Sequence, residues 1–498
     1  MKTIAFLLAG VACSTLAVAQ ETHVHDGRLG TVNFATSCST AAQPHFTQAA
    51  ALLHSFEFAA ARDAFNKALE QDSACGIAMW GVALSNWGNP FAPGIKPAAA
   101  IQAGGAAVQR GRGAGAESER ERAYIEAVAK LYEPAGATQR VRITAYRDAM
   151  AALAAKHPGD AEAQSFYALA LAAAAPVEDK TYADQLKAGA ILEKLFAQHP
   201  EHPGLAHYII HAYDVPALAD RAVVAARRYG KIAPAAPHAL HMPSHTFTRL
   251  GYWKESIETN LLSADVAHKG GNFGEELHAY DYLEYAYLQL GQLDAAKGVR
   301  DKLPAIIPLI NSSSFGGAAP PAAGAYALAA IPARYALERG AWAEAAVLEL
   351  HPSTTPFADA VTWFARGLGA ARSKDAALVA GAQKNIDQLQ SIADRLAAAN
   401  EPYWAEQVQI QRVGASAWLA LAQGQPDRAL ALMREAAERE DRTEKSAISP
   451  GPLAPAHEML GEMLLELKRP REAAAEFQKT IAKEPNRLRA KKGAAAAK

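Results

Sequence analysis

The chain has 498 residues, half of them hydrophobic and 20% charged, with 50 Lys+Arg set against 51 Asp+Glu. That length exceeds one small core and points to several domains or to a repeat array growing along one axis. A net charge of −1 leaves no footprint of a nucleic-acid binder or a membrane-surface protein, and the apolar half excludes global disorder.

Residues 1–19 read as a secretory signal. Lys2 supplies the positive start, an apolar run extends from Ile4 to Val11, and Ala17-Val18-Ala19 places small residues at the cleavage positions. The expected product is periplasmic or secreted. Acylation of Cys13 as a lipoprotein is a rival reading that Gly10-Val11-Ala12 fits poorly. Loss of the signal leaves Cys38 and Cys75, either a single disulfide in an oxidising compartment or two buried thiols. No other run has the length and apolarity to cross a bilayer, so no transmembrane segment is expected.

Helix formers fill most of the remaining windows, and no stretch alternates as a strand does. A repeat of 34 residues organises them. Gly461, Leu464, Ala473, Phe477 and Pro485 stand at tetratricopeptide spacing: small residues let two antiparallel helices approach, Phe fills the gap and Pro ends the second helix. Ala49, Leu52, Ala61, Phe65 and Ala68 form a first unit. Others are marked by Ala222 and Pro234, by Gly251 and Ser256, by Tyr287, Gly291 and Ala296, and by Ala417, Gly424, Ala429, Met433 and Ala436. The predicted fold is all-α, a tetratricopeptide-repeat α-solenoid of stacked helical hairpins.

Two Gly/Pro-rich stretches interrupt the array. Residues 88–119 read as a long loop. Residues 304–323 read as a linker between an N-terminal solenoid (20–303) and a C-terminal helical region (324–486). Residues 487–498 read as a basic, disordered tail.

Seven of the sixteen histidines lie between His207 and His278. His207 and His211 are four apart, as are His241 and His245, and the two pairs are offset by one 34-residue repeat. Each pair shares a helix face. The next unit is offset by 40, which pairs His238 with His278 and His241 with Asp281, while His268 is out of register and belongs to the insertion near Lys269–Phe273. On the first helix of each repeat these positions face the concave groove. Four imidazoles, or three with a carboxylate, suit Zn, Cu, Ni or Fe. The expected metal ligands are His207, His211, His241, His245 and Asp281. His238, His278, Tyr285 and Asp214 are expected to line the same groove and touch a ligand. Pro243, between His241 and His245, can kink the helix and turn the pair apart. Without metal, the same side chains make a polar ligand surface or satisfied packing between repeats.

The strings HPGLAHYIIHAYD, HALHMPSHTFTRLGYWKESIETN and HAYDYLEYAYLQLGQ resemble a group of exported bacterial tetratricopeptide-repeat proteins marked by an HxxHMPSHxFxRLG segment. IPARYALERGAWAEA and SPGPLAPAHEMLGEMLLE resemble its later segments, so the likeness covers nearly the whole mature chain. It implies an α-solenoid and assigns no settled activity. Relatives often have His where Ser446 stands and Arg where His457 stands. The expected function is an exported binding protein whose histidine-lined site holds a transition metal, a polar ligand or a peptide. One alternative is a metal-dependent enzyme with Asp281, Glu275 or Glu276 as base. The other is an assembly scaffold with no small ligand.

Overall fold

The computed structural model describes residues 28–92, 96–114, 118–133 and 135–498; the expected leader, with Cys13, lies outside them. Among the described residues there is no strand. The chain is an α-solenoid of antiparallel hairpins of the tetratricopeptide type, from Gln43–His54 with Phe58–Gln71 at one end to Ala456–Glu466 with Pro470–Lys483 at the other. No helix among the described residues is long and apolar enough to cross a membrane.

The hairpins close because glycine on one helix admits an aromatic ring from another. A Cβ added at Gly81 would lie 2.2 Å from the Phe65 ring, and one at Gly461 would lie 2.9 Å from the Phe477 ring. Phe65 and Phe477 are both fully buried. Tyr132 on Gly104 and Tyr213 on Gly189 repeat the device elsewhere. Cys38 and Cys75 form a disulfide that ties the N-terminal segment to the start of the Gly76–Trp87 helix.

The array does not stay open. Gly251, at φ +67°, leaves room for the Pro485 carbonyl to pass close to its Cα, and the Trp253 indole N–H donates to the Asn486 carbonyl at 3.2 Å. Arg487 is fully buried between Glu458 (2.7 Å) and Glu338 (2.6 Å), and also donates to the Tyr285 hydroxyl at 2.9 Å. The C-terminal repeat is thereby tied back onto the middle of the chain.

Four expectations are corrected by this closure. Residues 487–498 are a docked helix, Leu488–Ala496, rather than a tail, because Arg487 and Ala490 are buried against earlier repeats. The stretch 88–119 contains the helix Ala98–Ala114, where Gly104 serves packing rather than a turn. Segment 304–323 is made of short helical turns and is not detached: Ala59 N–H donates to the Gly316 carbonyl and Ala319 N–H to Glu275 Oε1. The histidine face is no open groove but an interior. His457 and Glu458 are buried too, His457 between Glu476 and Asp441.

The ring-in-glycine packing makes a direct prediction. Gly81→Ala forces a Cβ into the buried Phe65 ring and is expected to destabilise the chain by about 1–3 kcal/mol. Gly381→Ala, in a helix interior where an added Cβ meets nothing within 4 Å, is expected to stabilise by roughly 0.5–1 kcal/mol. Urea denaturation of both variants checks the pair, and equal midpoints would contradict the packing argument.

Candidate metal centre

The imidazoles expected around one point form two adjoining trios, His207 with His211 and His238, and His241 with His245 and His278. In each trio one ligand atom per residue lies within 4.8 Å of the others. All six rings are buried, none more than 8% exposed.

His207 and His211 sit one turn apart on the helix Pro203–Ala212, whose first turn carries Pro203 and is capped by the His202 side chain. Gly204 lets that helix lie against His54, since a Cβ there would be 2.2 Å from His54 Nδ1. The approach brings the His54 carbonyl to His207 Nδ1 at 2.7 Å, so Nδ1 carries the hydrogen and Nε2 presents its lone pair. His238 Nε2 lies 3.1 Å from that atom. The helix breaks at Met242 between Pro237–His241 and Pro243–Leu250. Met242 keeps helical angles, so the break costs only the hydrogen bond that Pro243 lacks, and His241 and His245 still share a face.

The second trio fixes its hydrogens most fully. His241 Nδ1 donates to Asn260 Oδ1 at 2.7 Å, and the amide is oriented by its own donation to the Ser256 carbonyl at 2.7 Å. His245 Nδ1 donates to Asp214 Oδ2 at 2.9 Å. Both Nε2 atoms therefore present lone pairs, and they face each other at 3.1 Å. A proton between them requires a buried imidazolium. Burial opposes that strongly, holding His207, His211, His241 and His278 well below the usual imidazole pKa and His238 at about 3. A cation is the other occupant that two facing lone pairs accept. With metal–nitrogen bonds of about 2.0–2.1 Å, atoms 3.1 Å apart subtend about 95–100° at a shared ion.

Further buried atoms lack partners at the same place: His211 Nε2, His238 Nδ1, His278 Nδ1, Glu57 Oε1 and Glu275 Oε2. Glu275 Oε2 is 3.7 Å from His238 Nδ1. Burial and the neighbouring Glu275 push the Glu57 carboxyl up to about 8. Aromatic rings wall the trios. Phe91 stacks on His211 at 4.3 Å, Tyr229 on His207 at 5.1 Å and Tyr282 on His245 at 4.9 Å. Phe56 packs on His207 and stacks on His238 from a hairpin turn in which it adopts φ +58°, a conformation rare for a bulky residue.

Asp214 backs His245 rather than facing a ligand. Burial works against its ionisation, but Lys445, Arg249 and His245 outweigh it and hold the carboxyl well below its ordinary range. Asp281 is no ligand of either trio: its Oδ1 is 2.8 Å from Arg334 Nε, and both side chains are fully buried. Tyr285 is likewise elsewhere, its hydroxyl bonded to Glu484 and Arg487. It lines a separate cavity with Arg249, Tyr326, Trp404, Gln407 and Lys445, one layer behind the second trio. Of the carboxylates expected as bases, Glu275 is at the centre, whereas Glu276 binds the exposed His268.

A third group, His54, Glu162 and His202, carries no repeat register and was not legible in the sequence. It needs no ion. Leu205 N–H donates to His202 Nδ1 at 3.3 Å, which leaves the hydrogen on Nε2 for Glu162 at 3.1 Å. His54 Nε2 donates to the other Glu162 oxygen at 2.8 Å, and its Nδ1 accepts from Tyr208 at 2.9 Å.

No family model and no curated protein matches the chain. Among solved structures it is similar to the APC/C hetero-tetramer Cut9–Hcn1, at 13% identity over 92% of this chain and 76% of that one, with a TM-score of 0.38. It is also similar to yeast Tom70, at 12% identity over 92% and 95% of the respective chains, with a TM-score of 0.29. Neither brings a site residue to this chain.

The buried neutral imidazoles set the pH dependence of the metal-free protein. Below about pH 6.5 the unfolded chain takes up protons that the folded interior refuses. Each such histidine then removes up to about 1.4 kcal/mol of stability per pH unit as pH falls. Glu57 acts oppositely, since its raised pKa in the folded chain weakens folding as pH rises from the unfolded carboxyl value towards about 8. Glu275, Asp281, Glu284, Glu440 and Glu458, which burial also raises, act with Glu57, so the histidine contribution is read by difference. As pH falls from about 7 to 5.5, the urea midpoint of metal-free wild-type protein is expected to drop relative to that of the His211→Asn/His278→Asn double variant, and a constant difference would show that the two rings are charged in the fold.

Proposed function

We propose that this chain is an exported tetratricopeptide-type protein whose closed interior binds two transition-metal ions, one on each histidine trio. The observation that carries the reading is the pair His241 Nε2 and His245 Nε2, facing at 3.1 Å with both Nδ1 hydrogens committed to Asn260 and Asp214. Outer hydrogen bonds of this kind orient metal-binding imidazoles and raise their basicity. Neutral imidazole donors suit Zn, Cu, Ni or Fe. The Cys38–Cys75 disulfide supports export to an oxidising compartment.

The enzyme reading is supported by Glu57 and Glu275, whose unpartnered oxygens lie beside the first trio and can hold a proton there. Asp281 gives it no support. A polar ligand or peptide has a second place to go, the cavity behind Lys445 and Arg249, where Trp404 Nε1, Gln407 Nε2 and Gln411 Oε1 are unpartnered. A pure assembly scaffold gives no reason for buried imidazoles without partners.

Elemental analysis tests the reading. Protein from an exported preparation is expected to carry close to two transition-metal ions per chain. His245→Asn is expected to lose one, His211→Asn the other, and the double variant both, with helical content by circular dichroism unchanged. Full metal retention in the folded double variant, or metal-free wild-type protein after incubation with each candidate ion, would overturn it.

A further inference from the structure

The cavity that Tyr285 lines is separate from both trios and lies among the C-terminal helices. Tyr326, Phe357, Phe364, Tyr403 and Trp404 wall it with aromatic rings, and the loop between Pro426–Asp441 and Ala456–Glu466 contributes Lys445. It offers about 80 Å³ to the centres of water-sized atoms. One water takes about 10–15 Å³ on that measure, so the space suits a molecule of roughly five to eight heavy atoms.

The polar atoms on its wall are mostly donors without acceptors. Trp404, Gln407 and Gln411 stand three and four residues apart on the helix Pro402–Ala422 and share one face. Trp404 is 5% exposed and its indole N–H is unpartnered, as are the buried Gln407 Nε2 and Gln411 Oε1. Lys445 adds a cation whose side chain is 7% exposed, yet its ammonium has no close partner. The Tyr282 hydroxyl is 3.5 Å from it and Asp214 Oδ1 3.6 Å. Asp214 is engaged by Arg249 and His245, each at 2.9 Å. The carboxylates that line the cavity are engaged as well. Both Glu440 oxygens accept from the Ala456 N–H at 3.1 Å, and Glu484 accepts from the Tyr285 hydroxyl at 2.9 Å. Glu444, next to Lys445 in the chain, pairs with Lys180 at 2.8 Å, and Lys483 donates to the Glu440 carbonyl at 3.4 Å.

The chemistry that matches this wall is an acceptor-rich anion. A carboxylate presents two oxygens with about four lone-pair sites, and charge-assisted bonds from a buried ammonium and buried N–H groups are the strong ones. Gln411 Oε1 calls for the reverse, a donor on the ligand. Gln407 and Gln411 are one turn apart, a rise of about 6 Å, which places that donor on the carbon next to the carboxylate. We infer that the cavity binds a small 2-hydroxy or 2-amino carboxylic acid. Lys445, Trp404 and Gln407 hold its carboxylate, Gln411 its hydroxyl or amino group, and the aromatic rings its short apolar body. The inference needs no metal and stands apart from the two-metal reading.

Isothermal titration calorimetry on full-length protein, stripped of metal by a chelator, tests this. Lactate, alanine and valine are titrated, each beside its analogue without the hydroxyl or amino group (propionate or isovalerate) and beside its amide; inorganic phosphate is titrated as well. At least one of the three acids is expected to bind one per chain and roughly tenfold more tightly than both of its analogues. Lys445→Met is expected to weaken that binding by roughly tenfold or more. Trp404→Phe keeps a ring to stack on Phe357, now at 3.7 Å, but removes the indole N–H, and is expected to weaken binding several-fold with circular dichroism unchanged. No binding by any of the three acids at about 10 mM would overturn the inference. So would equal binding of the amides, tighter binding of phosphate, or unchanged affinity in the folded Trp404→Phe variant. Each of these outcomes leaves the two-metal reading standing, since that reading is decided by metal content.

Discussion

The direction of a few N–H hydrogens governs what this interior can do. Asn260 and Asp214 accept the Nδ1 hydrogens of His241 and His245, and the His54 carbonyl accepts that of His207. Each acceptor is itself held. Asn260 is fixed by the Ser256 carbonyl, and Asp214 by Arg249 at 2.9 Å. The rings cannot exchange tautomers without leaving one of these acceptors facing a bare lone pair, a buried mismatch costing about 1–3 kcal/mol. The lone pairs are consequently aimed inward before any ligand arrives. That is preorganisation in the ordinary sense, supplied by a layer of residues that never reaches the centre.

Burial gives that aim its consequence, and burial comes from the way the array closes. Arg334, fully enclosed, donates to Asp281, to the Ser449 hydroxyl and to the Gly451 carbonyl. Tyr282 donates to the Ala447 and Ser449 carbonyls while its ring lies against His245. These bonds hold residues 445–451 over the second trio. On the other side, Phe56 and Phe91 cover the first trio. In an open groove, water would satisfy every imidazole and the same histidines would be unremarkable. Inside, an unpartnered polar atom is costly, so the concentration of such atoms around the trios carries information.

The hairpins were legible because their signal is local: Gly461 and Phe477, or Ala61 and Phe65, announce one another at fixed spacing. The histidine register was legible for the same reason, and His207, His211, His241 and His245 do lie together. Their division into two trios was not, because it depends on how far His238 and His278 reach from neighbouring helices. Asp281 shows the limit most clearly. Its register matches that of His241, but Arg334, 53 residues further along, reaches it first, and no local pattern predicts so distant a partner. Glu57 and Phe56 sit in a hairpin turn, outside any helical period. The final residues read as a tail because a short Ala/Lys run has no amphipathic signature, whereas Arg487 is anchored by carboxylates from two other helices.

The third histidine group sharpens the distinction between support and chemistry. In His54, Glu162 and His202, Glu162 accepts from both rings, and the remaining ring nitrogens accept from Tyr208 and from the Leu205 N–H. Nothing is left over, and the two imidazoles hold Glu162 below the usual carboxylate range despite its burial. The group behaves as a strut, and it is the strut from which the His54 carbonyl reaches His207. Composition alone would rank this cluster as the better metal site, since it includes a carboxylate. Placing every hydrogen reverses that order: a cluster whose donors and acceptors already match has no use for a cation, whereas two lone pairs held face to face in a closed interior do.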